Sequence, residues 1–289
     1  MSDVTAVICY LPGTKDMLDA CLSSIARHTE RHLSTVLVLW SMGRPFDAYD
    51  VVERSSLPHV GVIPVNCMLV KSAWLHAYML DTSIWSFVQT DLILTLDSDC
   101  LPVADGWLDF MVDAVKDGSW SSGISFPLSP ASHSCGNAVA DRYRMARHWD
   151  RGHVACQLYS KRNLVSLGVH FCQGLDAGLG ISDELERRSW QNELKLLRPT
   201  RCPLAEREGD DPELNRLDCV VFGDMVYHHG AYSCDQGVKK QRYSMAKARV
   251  LEHRGAEFLL DDTNSHCYAF DREDEAALRY YMTIVTKGL

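Results

Sequence analysis

The sequence has no Gly-x-Gly-x-x-Gly and no Walker-type loop, which argues against a dinucleotide fingerprint or a P-loop as its nucleotide site. It has no Cys-x-x-Cys either. Its eleven cysteines are an odd number, scattered singly, so a zinc site or disulfide framework has little support and a reducing cytosol is the expected setting. No apolar run approaches the roughly 20 residues that span a bilayer. The opening Met1-Ser2-Asp3-Val4 has no basic stretch followed by an apolar core, so no signal peptide is expected. Positive charge is in deficit, with 29 Lys and Arg against 38 Asp and Glu and a net charge of −9. That disfavours broad binding to nucleic acid or anionic membrane. Internal repeats and low-complexity tracts are absent. What is present is an ordinary globular composition, 46% hydrophobic and 23% charged over 289 residues, enough for one large α/β domain or one domain with an appendage.

One stretch stands out. Leu92-Ile93-Leu94-Thr95-Leu96 is an apolar run that ends in Asp97-Ser98-Asp99, followed by Cys100-Leu101-Pro102. It reads as a buried strand with two carboxylates at its exit, the edge where open α/β sheets bind ligands. Carboxylates so close repel each other unless a cation lies between them, so a divalent-metal site is the economical reading. A bare Asp-x-Asp also serves to cap helices and start turns. Context favours the metal: strands and helices alternate on both sides.

The rest of the chain supplies that alternation. A strand is expected at 5–10, a turn at Leu11-Pro12-Gly13, and a helix from Asp16 to about His28, with Leu18, Cys21, Leu22, Ile25 and Ala26 at helical spacing. Strands follow at 35–40 and 60–65, then a helix over 71–80. After Pro102, Asp105 is placed to cap a helix carrying Trp107, Leu108, Met111, Ala114 and Val115. A short strand is expected at 123–128, a loop at 129–137, a helix at 141–150 and apolar segments at 156–159 and 164–169. Ser182-Asp183-Glu184 carries the signature of a helix start, with the helix running to about Leu197. The charged 201–218 reads as a loop and Val220 to Val226 as a strand ending in Tyr227-His228-His229-Gly230. Helices are expected up to Phe258 and from Asp271 to about Thr286. Right-handed crossovers make this a mostly parallel sheet with helices on both faces.

The order of these motifs resembles a glycosyltransferase of the GT-A fold, most similar to family 2 enzymes, over roughly residues 4 to 233. Val7-Ile8-Cys9-Tyr10-Leu11-Pro12 is similar to the family's nucleotide-binding start, and Asp19 to Ile25 to its first helix. Leu94 to Asp99 looks like its Asp-x-Asp motif, and Val226 to Ser233 resembles its late histidine motif, with His228 the better match. Asp183-Glu184-Leu185 is similar to the acidic helix start that supplies its catalytic base. The resemblance implies an α/β GT-A (Rossmann-like) domain over 1–233, its nucleotide-sugar half about 1–102 and its acceptor half about 103–233, with 234–289 as a C-terminal helical extension. It implies a nucleotide diphosphate-sugar donor, UDP-sugar favoured, with Mn²⁺ or Mg²⁺ as cofactor. Two departures stand out. The family's acid after the second strand is absent from Leu39-Trp40-Ser41-Met42-Gly43, which leaves Trp40 to stack on a base. Ser182 precedes Asp183, so either Asp183 or Glu184 fits the base role.

The chemistry is coherent without the name. Asp99 offers oxygen to a hard cation, His228 an imidazole acceptable to Mn²⁺, and Asp97 is either a further ligand or a partner of donor hydroxyls. Tyr10, Leu11, Pro12, Trp40, Lys71 and Ser98 would line the nucleotide side, with Lys239, Lys240 and Arg242 closing over the phosphates. Trp107 and Trp190 are candidate acceptor platforms. Two other readings stand beside this one. Leu96-Asp97-Ser98-Asp99 also resembles the nucleophile motif of haloacid-dehalogenase-like phosphatases, with Gly209-Asp210-Asp211 or Gly223-Asp224 as late acids. Alternatively, the domain binds a glycan or partner without catalysis. A cytoplasmic protein, or one held peripherally at a membrane, is expected, and nucleic acid is not favoured as a partner.

Overall fold

The computed structural model describes residues 4–10, 12–42, 46–67, 75–126, 151–172, 177–190, 193–202, 219–230, 247–261 and 266–267. The expected loop at 129–137, the helix at 141–150 and the final helix at 271–286 lie outside these residues.

Strand β1 (Val4–Tyr10) is buried along its whole length, as an apolar strand covered on both faces must be. It lies between β2 (Leu33–Met42) and β4 (Leu92–Asp97), parallel to both. With β3 (Val60–Asn66), β6 (Ser121–Phe126), β7 (Arg151–Ser160) and β8 (Leu194–Leu197), these strands form a seven-stranded sheet of order β3-β2-β1-β4-β7-β6-β8. The β3-β2-β1-β4 half is parallel, whereas β7 runs antiparallel to both β4 and β6. The sheet is thus mixed rather than uniformly parallel.

Strand alternation sorts the side chains into two cores. Ala6, Ile8, Val36, Val38, Leu94 and Leu96 face the layer of α1 (Lys15–His28) and α4 (Trp107–Lys116). Val7, Cys9, Leu37, Leu39 and Ile93 face α3 (Leu75–Phe87) and the helices Lys161–Leu167 and Leu179–Arg187. A period of two on each strand therefore gives helices on both faces, an α/β fold. α1 buries Met17, Leu18, Cys21, Leu22 and Ile25 at its 3–4 spacing.

A second sheet, of order β12-β9-β10-β11-β5, is built from β5 (Cys100–Pro102), β9 (Pro199–Cys202), β10 (Val220–Phe222), β11 (Val226–His228) and β12 (His266–Cys267). Leu101, Val221 and Tyr227 from this sheet share a third core with Met17 and Ala20 of α1 and with Val250, Ala256 and Leu259. The segment 247–261 is thus seated on α1, and Arg27 clamps it through Glu257 and the Arg254 carbonyl (3.1 Å).

The structure corrects several boundaries. The single strand expected over 220–226 is two short strands joined by a turn at Gly223 and Asp224, both with positive φ (59° and 54°), the hairpin geometry that turns back most tightly. The helix expected from Ser182 to Leu197 starts at Leu179 and ends at Arg187, and 194–197 is strand. Asp105 does not cap α4. Gly106, at φ 77°, holds that position and Asp105 accepts from His28 Nδ1 (2.8 Å). Among the described residues, no helix is long and apolar enough to cross a membrane.

Candidate active site

The acidic pair sits where the two sheets meet. β4 ends at Asp97, the chain turns through Ser98 and Asp99, and β5 leaves into the second sheet. There β5 pairs antiparallel with β11, in a register that sets Cys100 opposite His228. The tight β10–β11 turn and this register carry His228 to Asp99. Nε2 of His228 lies 4.0 Å from Asp99 Oδ1, and both residues are buried. The His229 N–H donates to the Asp99 carbonyl (3.1 Å), tying the two strands at the same point.

Burial pushes the Asp99 carboxyl above its ordinary value, with the nearby Asp97 adding to the effect and His228 opposing it. A buried acid raised in this way calls for a positive counter-charge to ionise. The Asp99–His228 separation is too long for a hydrogen bond, yet short enough for two ligands on one ion at about 2.0–2.1 Å each. The donor set of one carboxylate and one imidazole suits Mn²⁺. Asp99, Cys100 and His228 form the one metal-capable trio among the described residues. The Cys100 thiol is pushed well above its ordinary value, first by burial and then by Cys156, so without a metal it stays a neutral neighbour. His229 is held near pKa 4 by burial and stays neutral, with Nδ1 3.0 Å from the Tyr227 hydroxyl.

Asp97 opens onto a cavity of about 180 Å³ lined by His76, Arg151, Gly152, His153, Val154 and Ala177. His76 Nε2 is 3.2 Å from Asp97 Oδ1. Arg151 and His153 arrive because β7 outruns its partner: Leu96 pairs with Cys156, so the residues before Cys156 project past the end of β4. β7 is also bulged against β6, since Gly123 pairs with Gln157 while Ser125 already pairs with Gly152. Such irregularities re-aim side chains. Here the buried Gln157 side chain fills the bulge, and a Cβ on Gly152 would come within 2.6 Å of it. His153 accepts the Ala155 N–H at Nδ1 (3.1 Å), and its ring centroid lies 5.3 Å from that of His228. The cavity thereby borders the Asp99–His228 pair.

The other expected site residues fall as follows. Tyr10, at the exit of β1, donates its hydroxyl to Asp47 and packs edge-on against Phe46 (5.3 Å), which also touches Trp40 (5.8 Å). Pro12 is half-buried in the following turn. Ser98 is buried, its hydroxyl 3.4 Å from that of Thr14 just before α1, so it braces the turn. Trp107 is fully buried in the core, and its indole N–H donates to Thr29 (3.0 Å). Trp190 closes the end of helix Leu179–Arg187, its N–H on the Leu185 carbonyl and the Arg188 guanidinium 5.0 Å from its ring. Both tryptophans pack rather than line the cavity. Glu184 is gripped by Arg187 and Arg188, which hold its carboxyl down at about 2. Asp183 lies in the middle of that helix, not at its start. Leu11, Lys71, Lys239, Lys240 and Arg242 lie outside the described residues. So do Asp210 and Asp211 of the phosphatase reading. Asp224, its other late acid, sits in the hairpin turn at the far end of β11 from His228, bound to Arg201 Nε (2.8 Å).

The sequence reading missed His76, Arg151, His153 and Asp47. The signal was faint: a basic residue and a histidine two apart at the start of an apolar strand share a face.

No protein-family model matches the sequence, and no curated relative matches it. Solved structures do. The bifunctional glycosyltransferase WbbM, in its apo form, is 14% identical over 68% of this chain with a TM-score of 0.46, and the chain spans 39% of WbbM's length. The galactosyltransferase LgtC, in complex with donor and acceptor sugar analogs, is 12% identical over 85% of this chain and 95% of its own, with a TM-score of 0.47. Glucosyl-3-phosphoglycerate synthase from Mycobacterium tuberculosis, in complex with Mn²⁺, UDP-glucose and glycerol 3-phosphate, is 14% identical over 68% of this chain and 69% of its own, also with a TM-score of 0.47.

Proposed function

We propose that this chain is a metal-dependent glycosyltransferase of GT-A type, moving a sugar from a nucleotide diphosphate donor, UDP-sugar favoured, to an acceptor hydroxyl with inversion. The observation that carries this reading is the buried Asp99–His228 pair, assembled across two sheets beside Asp97 at the carboxyl edge of the parallel strands. Asp99 and His228 would hold Mn²⁺ or Mg²⁺, which would neutralise charge on the departing diphosphate.

The protein's own groups do the rest. Asp97, with His76 Nε2 3.2 Å away, accepts hydrogen bonds from donor hydroxyls lying in the cavity. Neutral His229, bonded to Tyr227, backs His228 and fixes the strand that carries it. The acceptor oxygen bonds to the anomeric carbon as the bond to the diphosphate breaks, and a carboxylate takes the hydroxyl proton. Glu184, at about 2 and committed to two arginines, is a poor base, so that role falls to Asp183. Tyr10 and Trp40, with Phe46 and Asp47, form the surface for the nucleobase. Residues 1–233 make the catalytic unit, 234–289 an extension, and the setting is cytosolic.

The test is a thermal-shift titration of the full chain with UDP, GDP, TDP and CDP, each with and without Mn²⁺. One diphosphate should raise Tm in the presence of metal, and Asp99→Ala should abolish the shift. Equal shifts in Asp99→Ala and wild type, or an acyl-phosphate trapped on Asp97, would reject the proposal.

A further inference from the structure

Cys100 stands at a point that the transferase reading leaves unused. β5 and β11 run antiparallel, and their register sets Cys100 directly opposite His228. Residues so paired share a face of the sheet, with Cβ atoms about 4.5–5.5 Å apart. The packing agrees. Cys100 and Val226 lie in the core that faces α1 and α4, while the alternating Leu101 and Tyr227 lie in the third core. Asp99 escapes the alternation because it belongs to the turn between β4 and β5, and its carboxyl reaches the same point. A carboxylate oxygen of Asp99, Sγ of Cys100 and a ring nitrogen of His228 thus lie within 4.8 Å of one another, and all three residues are buried. A buried free cysteine often packs simply as a small hydrophobe. What sets Cys100 apart is its convergence with two ligand-type side chains; Cys21 and Cys156 are equally buried but join no such group among the described residues. A thiolate is a soft ligand that favours Zn²⁺, whereas Mg²⁺ wants oxygen.

We infer that Cys100 is the third protein ligand of the ion at Asp99 and His228, which makes the centre one for a thiophilic divalent ion such as Zn²⁺ or Co²⁺ in preference to Mg²⁺. The inference rests on the metal centre of the transferase reading and deepens it by naming the class of ion. As the metal–sulfur bond forms, the S–H bond breaks and its proton leaves to solvent. Three protein ligands leave a fourth position for an oxygen of the departing diphosphate. Zn²⁺ outbinds Mn²⁺ at most sites of nitrogen, oxygen and sulfur, so affinity order alone does not identify the ligand. The experiment therefore reads the sulfur itself.

The full chain is loaded with an equimolar amount of Zn²⁺ under reducing conditions and studied by X-ray absorption at the zinc edge. The wild type needs no substitution to give an answer: a single sulfur scatterer at about 2.3 Å is expected beside nitrogen and oxygen ones. The sulfur should vanish in Cys100→Ala, with Zn²⁺ held at least about 10- to 100-fold more weakly, the loss typical of removing even an outer-shell partner, and with Mg²⁺ affinity little changed. Asp99→Ala should lose the same shell. Co²⁺ should show a sulfur-to-metal charge-transfer band in the wild type and none in Cys100→Ala. A shell of nitrogen and oxygen only, lost in Asp99→Ala, would overturn the inference and leave the metal centre intact. A sulfur shell that persists in Cys100→Ala would come from another cysteine and would overturn it as well. Zn²⁺ bound equally by the wild type and Asp99→Ala, or not bound at all, would remove the metal centre and the inference together. If Cys100 holds the ion but no nucleoside diphosphate shifts Tm, the ligand stands and the transferase proposal falls.

Discussion

Replacing Gly178 with alanine tests how tightly the cavity wall is built. Gly178 precedes helix Leu179–Arg187 with φ 73°, and a Cβ there would lie 2.5 Å from Val154 Cγ1. Two costs combine. A left-handed residue with a Cβ costs about 1–2 kcal/mol, and forcing a methyl into a stiff β-branched neighbour costs about 1–3 kcal/mol. The stiffer unfolded chain returns roughly 0.4–1 kcal/mol. The net loss should be about 2–4 kcal/mol. The protein carries its own control in Gly168, at φ 70°, where an added Cβ meets nothing within 4 Å, so Gly168→Ala isolates the backbone cost. Urea denaturation of both variants gives the clash by difference. Val154→Ala should lose about 1.5–3 kcal/mol alone, from two buried methyls and the void they leave. Combined with Gly178→Ala it should be less harmful than the sum by about 1–3 kcal/mol, because the clash is gone. If Gly178→Ala is no worse than Gly168→Ala, or if the pair is additive, this account of the wall is wrong.

Other outcomes are expected. Mn²⁺ at a hundredfold excess over its Kd should stabilise the wild type by about 2.7 kcal/mol and leave His228→Ala unmoved; equal stabilisation of both would place the ion elsewhere. His229 has a folded pKa of about 4, below the 6.5 of a free histidine. Between those values the unfolded chain takes up a proton that the folded chain refuses, so stability falls as pH drops from 6.5 to 4, by up to about 3 kcal/mol. His229→Gln should flatten that slope in urea melts at stepped pH, and an unchanged slope would refute it. Glu184→Gln should change turnover only a few-fold, whereas Asp183→Asn should reduce it by two or more orders of magnitude; the reverse ranking would reassign the base.

The parallel half of the fold was legible because its signals are local. Val4–Tyr10 and Leu92–Asp97 are apolar runs with abrupt ends, and α1 shows its buried face in five residues. Asp97, Asp99 and His228 were legible for a related reason, since each lies at the end of such a run. The turn at Gly223-Asp224 was read through, although a Gly-Asp pair between two short apolar runs is a local hairpin signal, and positive φ at both residues makes the reversal. Arg151 and His153 were invisible as site residues because their position comes from where β7 overhangs β4, a matter of pairing register that no window of sequence contains. Ser182 looked like a helix cap for good local reasons, yet the backbone at Gly178 started the helix a turn earlier and buried Ser182 against its carbonyl.

The meeting of β5 with β11 has a consequence for how this molecule comes together. Asp99 and His228 are more than a hundred residues apart in the chain, so their approach closes a long loop. Contacts of that span tend to form late, after the local β-α units have condensed. The candidate centre would then be among the last parts to mature. It would also be among the first to loosen, since opening the small second sheet separates the pair without touching the main one.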